Sequence, residues 1–437
     1  MPARGGFRPG PNGPGGAPGR MHISFQYVPA SLKFEGKTYE NVALRFKGNS
    51  SYRSSSQRLK RPFKIDFNKY IKGQKFHGLT KLVLNNNTFD ASQLRETLAY
   101  EIFCEAEVAA PRTAFARVYL TVPGEFNREF LGLYTIIEAV DQRFLKDRFG
   151  AKEGLLLKPT VREGLTYLGD SWQAYKGPYA PKTEVSDADA RWFIAMTRSL
   201  ENSSDSNFRH EIEKYFDVDQ FLRFLAVQTA TANLDSPLSM GHNFYLYRNP
   251  KSGKLNWIPW DLNEAFGRFR MVGSGEQQID LSIDHPYVGE NRLIERLLAI
   301  PAYRTNYHQH MEKLATLFAS RKLQKQIETA TPVIRAALAD DPEVTLAAFE
   351  RSAFASNWQP DAQTTPQGRE FAPPPFGGGA RGFRPDNGPS LTAWIEGRAA
   401  SLRKQLDGKG NGYVPERRMR GPGFGGPPGA FRPRPPE

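Results

Sequence analysis

"NLDSPLSMGHNFYLYRNPKSGKLNWIPWDLNEAFG", Asn233 to Gly267, sets Asp235, Asn243 and Asp261 among strand-like aromatic segments. "HNFYLYRN" and "KLNWIPWD" read as the two arms of a β-hairpin around "PKSGK". The helical pattern "DVDQFLRFLAVQTATANLD", opened by a capping Asp, leads into it. Three oxygen side chains around one hairpin suit a magnesium site, and they equally suit turns and caps. Asp261 leaves the apolar "WIPW" for a turn, as a metal ligand or as the cap of "LNEAFG". Asn243 stands ahead of "FYLY", as a second ligand or a turn residue. Asp235 ends a long helical run, as a carboxylate that orients an incoming hydroxyl or as a cap. His242 beside Asn243 reads as a ligand or, more in keeping with a lone histidine, as a buried, hydrogen-bonded one.

Upstream, residues 21–85 are β-rich. "HISFQYV", "NVALRFKG", "RPFKIDFNK" and "KLVLNN" cluster β-branched and aromatic residues between turn signals. In "PFKIDF", Phe63, Ile65 and Phe67 share one face, and Lys64 and Asp66 the other. A helix follows, with Asp90 as its cap, Gln93 completing a capping box, and Leu94, Leu98 and Ile102 as its apolar stripe. "PRTAFARVYLTV" and "REFLGLYTIIEAV" pair around "PGEFN"; "DQRFLKDRFG" is a short helix and "GLLLKP" a strand. From about residue 185 the pattern is helical, through "SDADARWFIAMTRSLEN", "NRLIERLLAIPAYRTNYHQHMEKLATLFAS" and "KLQKQIETATPVIRAALADD". The fold class is α+β. A β-rich lobe, 21–140, precedes a mainly helical lobe, 141–365, which is completed by a last helix at 390–407. The join falls near "TIIEAVDQRF", and a nucleotide fits between two such lobes.

Gly and Pro crowd residues 1–20, 366–389 and 408–437, and the triplet Phe-Arg-Pro recurs in each. Such segments bury too little apolar surface to offset the entropy of ordering, so they read as disordered. The net charge of +13 favours acidic partners, nucleotide phosphates among them. The Arg/Gly/Phe tails resemble RNA-contacting segments, but no RNA-recognition motif or zinc module accompanies them, so nucleic acid is disfavoured as a partner. Cys104 is the sole cysteine, which excludes an internal disulfide framework and zinc clusters. No apolar run is long enough for a membrane span, and no signal peptide is visible at Met1.

Phosphoryl transfer asks for cations on the phosphates, oxygen ligands for Mg²⁺, and a carboxylate that orients the attacking group. Lys64, opposite the Phe/Ile/Phe row, is placed to meet phosphates and Glu96 of the helix, or is a solvated strand lysine. The loop Lys47-Gly48-Asn49-Ser50 offers backbone N–H groups to phosphates, although its single glycine makes it no Walker loop. Glu138, Ala139 and Val140 close an apolar strand at the join, a candidate hinge for an adenine.

Several of these segments resemble, in the same order, the CotH family of spore-coat-H-like atypical protein kinases. They are "LRFKGNSS", "RPFKIDFNKYIKGQKFHGLTKLVLNNN", "LRETLAYEIF", "APRTAFARVYL", "LGLYTIIEAVDQRFL" and "NLDS…HNFYLY…IPWDLNEAFG". The resemblance runs from about residue 22 to 320. It implies a divergent two-lobed protein-kinase-like fold that binds ATP with Mg²⁺ or Mn²⁺ and phosphorylates Ser or Thr of proteins. Asp235 then matches the catalytic-loop Asp. Asn243 and Asp261 match the metal ligands, Lys64 the phosphate-binding lysine, and Glu96 its partner; Lys60, Lys158, Arg95 and Glu101 are alternatives for these last two. The family implies a protein acceptor of the basic, Ser-rich coat or surface type, and a spore-coat, surface or secreted setting. One position departs from the family: Asn263 stands where members often carry Asp. As a ligand it offers a carbonyl oxygen without the charge, which leaves a non-catalytic coat or surface scaffold as the alternative reading.

Overall fold

A computed structural model describes residues 23–161, 164–355 and 388–416. The Gly/Pro-rich segment at 1–20 and most of those at 366–389 and 408–437 lie outside the described residues. The architecture is α+β. A six-stranded antiparallel sheet is built from β1 (Val28–Phe34), β2 (Lys37–Phe46), β3 (Phe63–Asp66), β4 (Lys81–Asn85), β5 (Thr113–Val122) and β6 (Phe126–Glu138). Its order is β1-β2-β3-β4-β6-β5. Alternation sorts its faces as period two requires. Phe63, Ile65 and Phe67 pack with Leu82, Leu84 and Tyr134 in a small core on one side. Lys64, opposite Arg45 and Val83 in the register, faces the other side, where Val83 and Ile137 join the main core.

Between β4 and β5 runs the helix Arg95–Glu105. Its start differs from a capping box. Leu94 is the boundary residue, and Asp90 reaches forward five positions to accept from the Arg95 backbone N–H at 2.9 Å. The same carboxylate takes the Arg95 guanidinium at 2.7 Å. Gln93, in the left-handed region at φ +59°, instead donates to the Asp90 carbonyl and accepts from Asn87.

A second antiparallel sheet, β7 (Leu155–Leu157), β8 (Phe244–Arg248) and β9 (Leu255–Pro259), is embedded among the helices. Its β8–β9 arms are the expected hairpin, in register from Phe244↔Pro259 to Arg248↔Leu255. The helix Val218–Ala230, capped by Asp217, packs against β9 and leads into the hairpin. Three expectations shift. The first strand starts at Val28 rather than at His22. The run 291–320 is two helices, Arg292–Leu298 and Pro301–Ala319, because Pro301 lacks the N–H an interior position needs and starts the second one. The chain after the last helix, Leu391–Leu406, stays on the body: Tyr413 N–H donates to the Asp280 carbonyl at 2.5 Å, and Ser282 N–H to that of Tyr413 at 2.8 Å.

A buried ion pair ties the large sheet to the helices. Lys60 Nζ lies 3.0 Å from Asp341 Oδ2, both side chains enclosed. The Leu133 N–H donates to the same oxygen at 2.8 Å. Gly132 makes room for this: at φ +108° it sits where an added Cβ would come within 2.5 Å of Asp341 Oδ2.

Candidate functional site

The hairpin decides where the acidic residues stand. One step beyond the Phe244↔Pro259 pair, Trp260 N–H donates to the Asn243 carbonyl at 3.1 Å, so Asn243 and Asp261 lie side by side at the open end. Both occupy the left-handed region, at φ +64° and +57°. Asn and Asp are among the few residues that adopt it at modest cost, and there they turn their side chains out of the ladder. The Asp261 backbone N–H donates to the buried Tyr100 hydroxyl at 3.0 Å, which ties this corner to the helix Arg95–Glu105.

Asp235 lies in the loop between the helix Val218–Ala230 and β8. Asn243 Nδ2 donates both to its carbonyl, at 2.8 Å, and to its Oδ2, at 3.1 Å. His242 Nε2 lies 3.2 Å from Oδ1. The carboxylate is therefore braced on two sides while about a fifth of its side chain stays exposed. Asn243 spends its amide N–H on this brace and keeps its carbonyl oxygen as an acceptor. Asn263 sits two residues past Asp261, half-buried.

Across from the hairpin stands Glu96. Asn85, at the end of β4, donates to Glu96 Oε2 at 2.6 Å and accepts from the Lys47 ammonium. Oε1 of Glu96 is buried and has no hydrogen-bond partner among the described residues. Burial, and then the charge of Asp261, raises the Glu96 carboxyl to about 8. Glu264 is likewise raised to about 8 by burial, with Asp235 and Asp261 adding to it and Arg268 opposing. Carboxylates that raise one another in an enclosed space, despite Lys47 and Arg268 nearby, leave room for more positive charge, which is a physical reason for a Mg²⁺ ion to fit beside Asp261. Among the described residues, no three His, Cys, Asp or Glu side chains alone form a metal cage. A ligand set here would need an oxygen of another kind, such as the amide oxygen of Asn243.

Cations line the same space. Lys47 is pulled down by burial, against the pull of Asp261 and Glu96. Lys64 falls to about 8 through burial and the nearby charges of Arg45 and Lys81. Lys158 falls to about 8 through burial, with Asp261 opposing and Lys47, Lys182 and Lys64 adding. The lysine joined to Glu96 is thus Lys47, through Asn85, and not Lys64, which looks into the space from the middle of the sheet. The alternatives Lys60 and Arg95 belong to the buried pairs with Asp341 and Asp90. Glu101 lies among other acids of its helix, raised by burial and Glu105.

The remaining sequence candidates divide. Gly48 holds the loop open at φ +75°, where an added Cβ would meet Ser51 Oγ. Asn49 and Ser50 begin the short helix Ser50–Ser54. Glu138 turns its carboxylate to Arg112 at 2.6 Å and Arg148 at 3.3 Å, and its N–H donates to the Arg112 carbonyl. Ala139 and Val140 are buried in the crossover from β6 to the helix Gln142–Phe149.

Tyr100, Asn85 and Glu264 were not singled out by sequence reasoning. Tyr100 looks like one more apolar residue of a helix. Asn85 had a signal, because three asparagines end a buried strand in "LVLNNN". Glu264 stands beside the doubtful Asn263 and carries the charge which that position lacks.

Inner spore coat protein H of Bacillus subtilis (strain 168) is 27% identical over 323 residues, which cover 72% of this chain and 82% of that protein. The model of the CotH family, described as CotH kinase protein, matches residues 44–361, a span that contains every residue placed at the site above. The chain belongs to the CotH family.

Proposed function

We propose that this protein is an atypical protein kinase that transfers the γ-phosphoryl group of ATP to a Ser or Thr hydroxyl of a protein, with Mg-ATP held between a sheet lobe and a helical lobe. The observation that supports this most is the convergence of Asp235, Asn243 and Asp261 at one hairpin end, facing Glu96, Asn85 and Lys47. Asp261 and the carbonyl oxygen of Asn243 would hold Mg²⁺, and the buried carboxyl of Glu96 stands nearby, with no side chain bonded to its Oε1. When bound, the ion neutralises charge on the β- and γ-phosphate oxygens.

The protein's own residues orient and move the proton. Asp235, braced by Asn243 and His242, accepts the proton of the acceptor hydroxyl. The hydroxyl oxygen bonds to the γ-phosphorus, the bond from that phosphorus to the β–γ bridging oxygen breaks, and ADP leaves. Lys47 holds phosphate oxygens and is itself positioned through Asn85 by Glu96.

A second reading is a coat or surface protein that keeps the fold without the chemistry. Asn263 favours it, as does the name of the Bacillus relative. Calorimetric titration with Mg-ATP bears on both readings. Saturable binding by the wild type, lost in Asp261→Ala, is expected if the site takes a metal nucleotide. Absence of binding by the wild type removes the kinase reading and leaves the scaffold.

A further inference from the structure

Lys158 enters the site from the wall opposite Lys47. It follows β7, and its backbone N–H is held by the carbonyls of Tyr179 and Ala180 at 3.0 and 3.2 Å. Its ammonium lies 5.2 Å from the ring centroid of Tyr245 and 5.2 Å from that of Trp260. Tyr245 belongs to β8, and Trp260 follows β9, immediately before Asp261. The two rings meet edge to face, 5.5 Å apart at 88°. All three strands of the small sheet thus converge on one ammonium.

Aromatic faces hold a cation in place without cancelling its charge. Among the described residues no carboxylate lies within ion-pair distance of Lys158; Asp261 is the acid whose charge it feels most. Lys47, Lys182 and Lys64 add like charge around it. Like charge felt at an ammonium that has no carboxylate paired to it is relieved by an anion that binds there.

The two walls have different tasks. Lys47 is bound to the large sheet through Asn85. Lys158 is bound to the hairpin wall that also carries Asp261 and Asn243, and through Asn243 it shares that wall with Asp235. The phosphoryl group that moves must lie next to the carboxylate that takes the acceptor's proton. We propose that Lys158 contacts the transferred phosphoryl group of the nucleotide, while Lys47 holds the phosphates that stay behind. This rests on the kinase reading above.

The assignment separates ATP from ADP. Lys158→Met and Lys158→Arg are compared with the wild type by calorimetry with Mg-ATP and Mg-ADP, by single-turnover transfer, and by melting temperature without nucleotide. For Lys158→Met the expected result is ADP affinity within about twofold of the wild type, loss of ATP's advantage over ADP, and transfer slowed about 10²-fold or more. Lys158→Arg is expected to recover part of the ATP advantage. An unchanged ratio of ATP to ADP affinity in Lys158→Met overturns the proposal. So does an equal loss of both affinities with a lowered melting temperature, which marks a packing role. A wild type that binds neither nucleotide overturns the kinase reading itself, and the assignment with it.

Discussion

At Asp261 the backbone holds φ +57° while its carboxylate raises those of Glu96 and Glu264. Both features cost stability, which is the pattern of a site kept for function. Asp261→Gly removes both and keeps the backbone N–H that meets Tyr100. The variant is expected to unfold in urea at equal or higher denaturant, with a gain of about 1 kcal/mol, and to bind no Mg-ATP. A loss of stability with binding retained would count against the site. The lysines give a second test. Lys47→Met is expected to weaken Mg-ATP about tenfold or more, because it breaks the chain through Asn85 to Glu96. Lys64→Met, with no such chain, is expected to weaken it less; the reverse order in calorimetric titration would restore Lys64 as the main phosphate lysine. At this scale the sequence was legible wherever a side chain could be placed by local pattern. Asp235, Asn243 and Asp261 flank one hairpin, so their nearness in sequence made a meeting one of the two readings open, beside turns and caps. The Glu96 partner was not legible, because Lys47 and Lys64 reach the same space from neighbouring strands. Only the three-dimensional course of the loop between β2 and β3 decides between them.

Elements with a clean period were readable, and those set by tertiary contacts were not. The alternation of Phe63, Lys64, Ile65 and Asp66 fixed both the strand and its faces, and Asp141 and Gly150 marked the two ends of one helix. The helix Trp172–Tyr179 was missed, since Pro178 lies inside it, and Asp205–Tyr215, within the stretch read as helical, was not told apart as an element because its apolar stripe is thin. The capping box at Asp90 failed for a physical reason: the carboxylate is drawn to the buried Arg95 guanidinium and serves the helix from farther back. Lys60 illustrates the same limit. Nothing local shows that it closes onto Asp341, more than two hundred residues away. Lys60→Met leaves that carboxylate enclosed without its cation, held only by the N–H groups of Leu133, Glu343 and Val344, so a loss of about 3 kcal/mol in urea unfolding is expected. A loss below about 1 kcal/mol would mean the pair is open to water.

Across the whole molecule, the helix Leu391–Leu406 returns to the centre of the fold after the Gly/Pro-rich stretch. Arg398 is wholly buried there and donates to the carbonyls of Thr229, Ala230, Ile279 and Leu281. Thr229 and Ala230 end the helix that leads to Asp235, so the last helix supports the site from behind. Arg398→Ala strands these acceptors, and about 3 kcal/mol or more of stability is expected to go, with Mg-ATP binding falling in parallel. An unchanged melting temperature would mean that this helix does not support the site. The net charge of +13 suits an anionic ligand, yet it did not indicate where one would sit. The lysines at the site are few among many, and partial burial near Asp261 sets Lys47 and Lys158 apart.

The most direct test is transfer of label from γ-labelled ATP, with Mg²⁺ or Mn²⁺, to a basic Ser-rich acceptor protein by the wild type and by Asp235→Asn. With the wild type, label is expected on Ser or Thr of the acceptor. For Asp235→Asn the expected rate is at least 10²-fold slower with Mg-ATP affinity nearly unchanged, because that carboxylate handles the proton and not the nucleotide. Equal rates in the two proteins, or no transfer by a wild type that binds Mg-ATP, would contradict the proposed function.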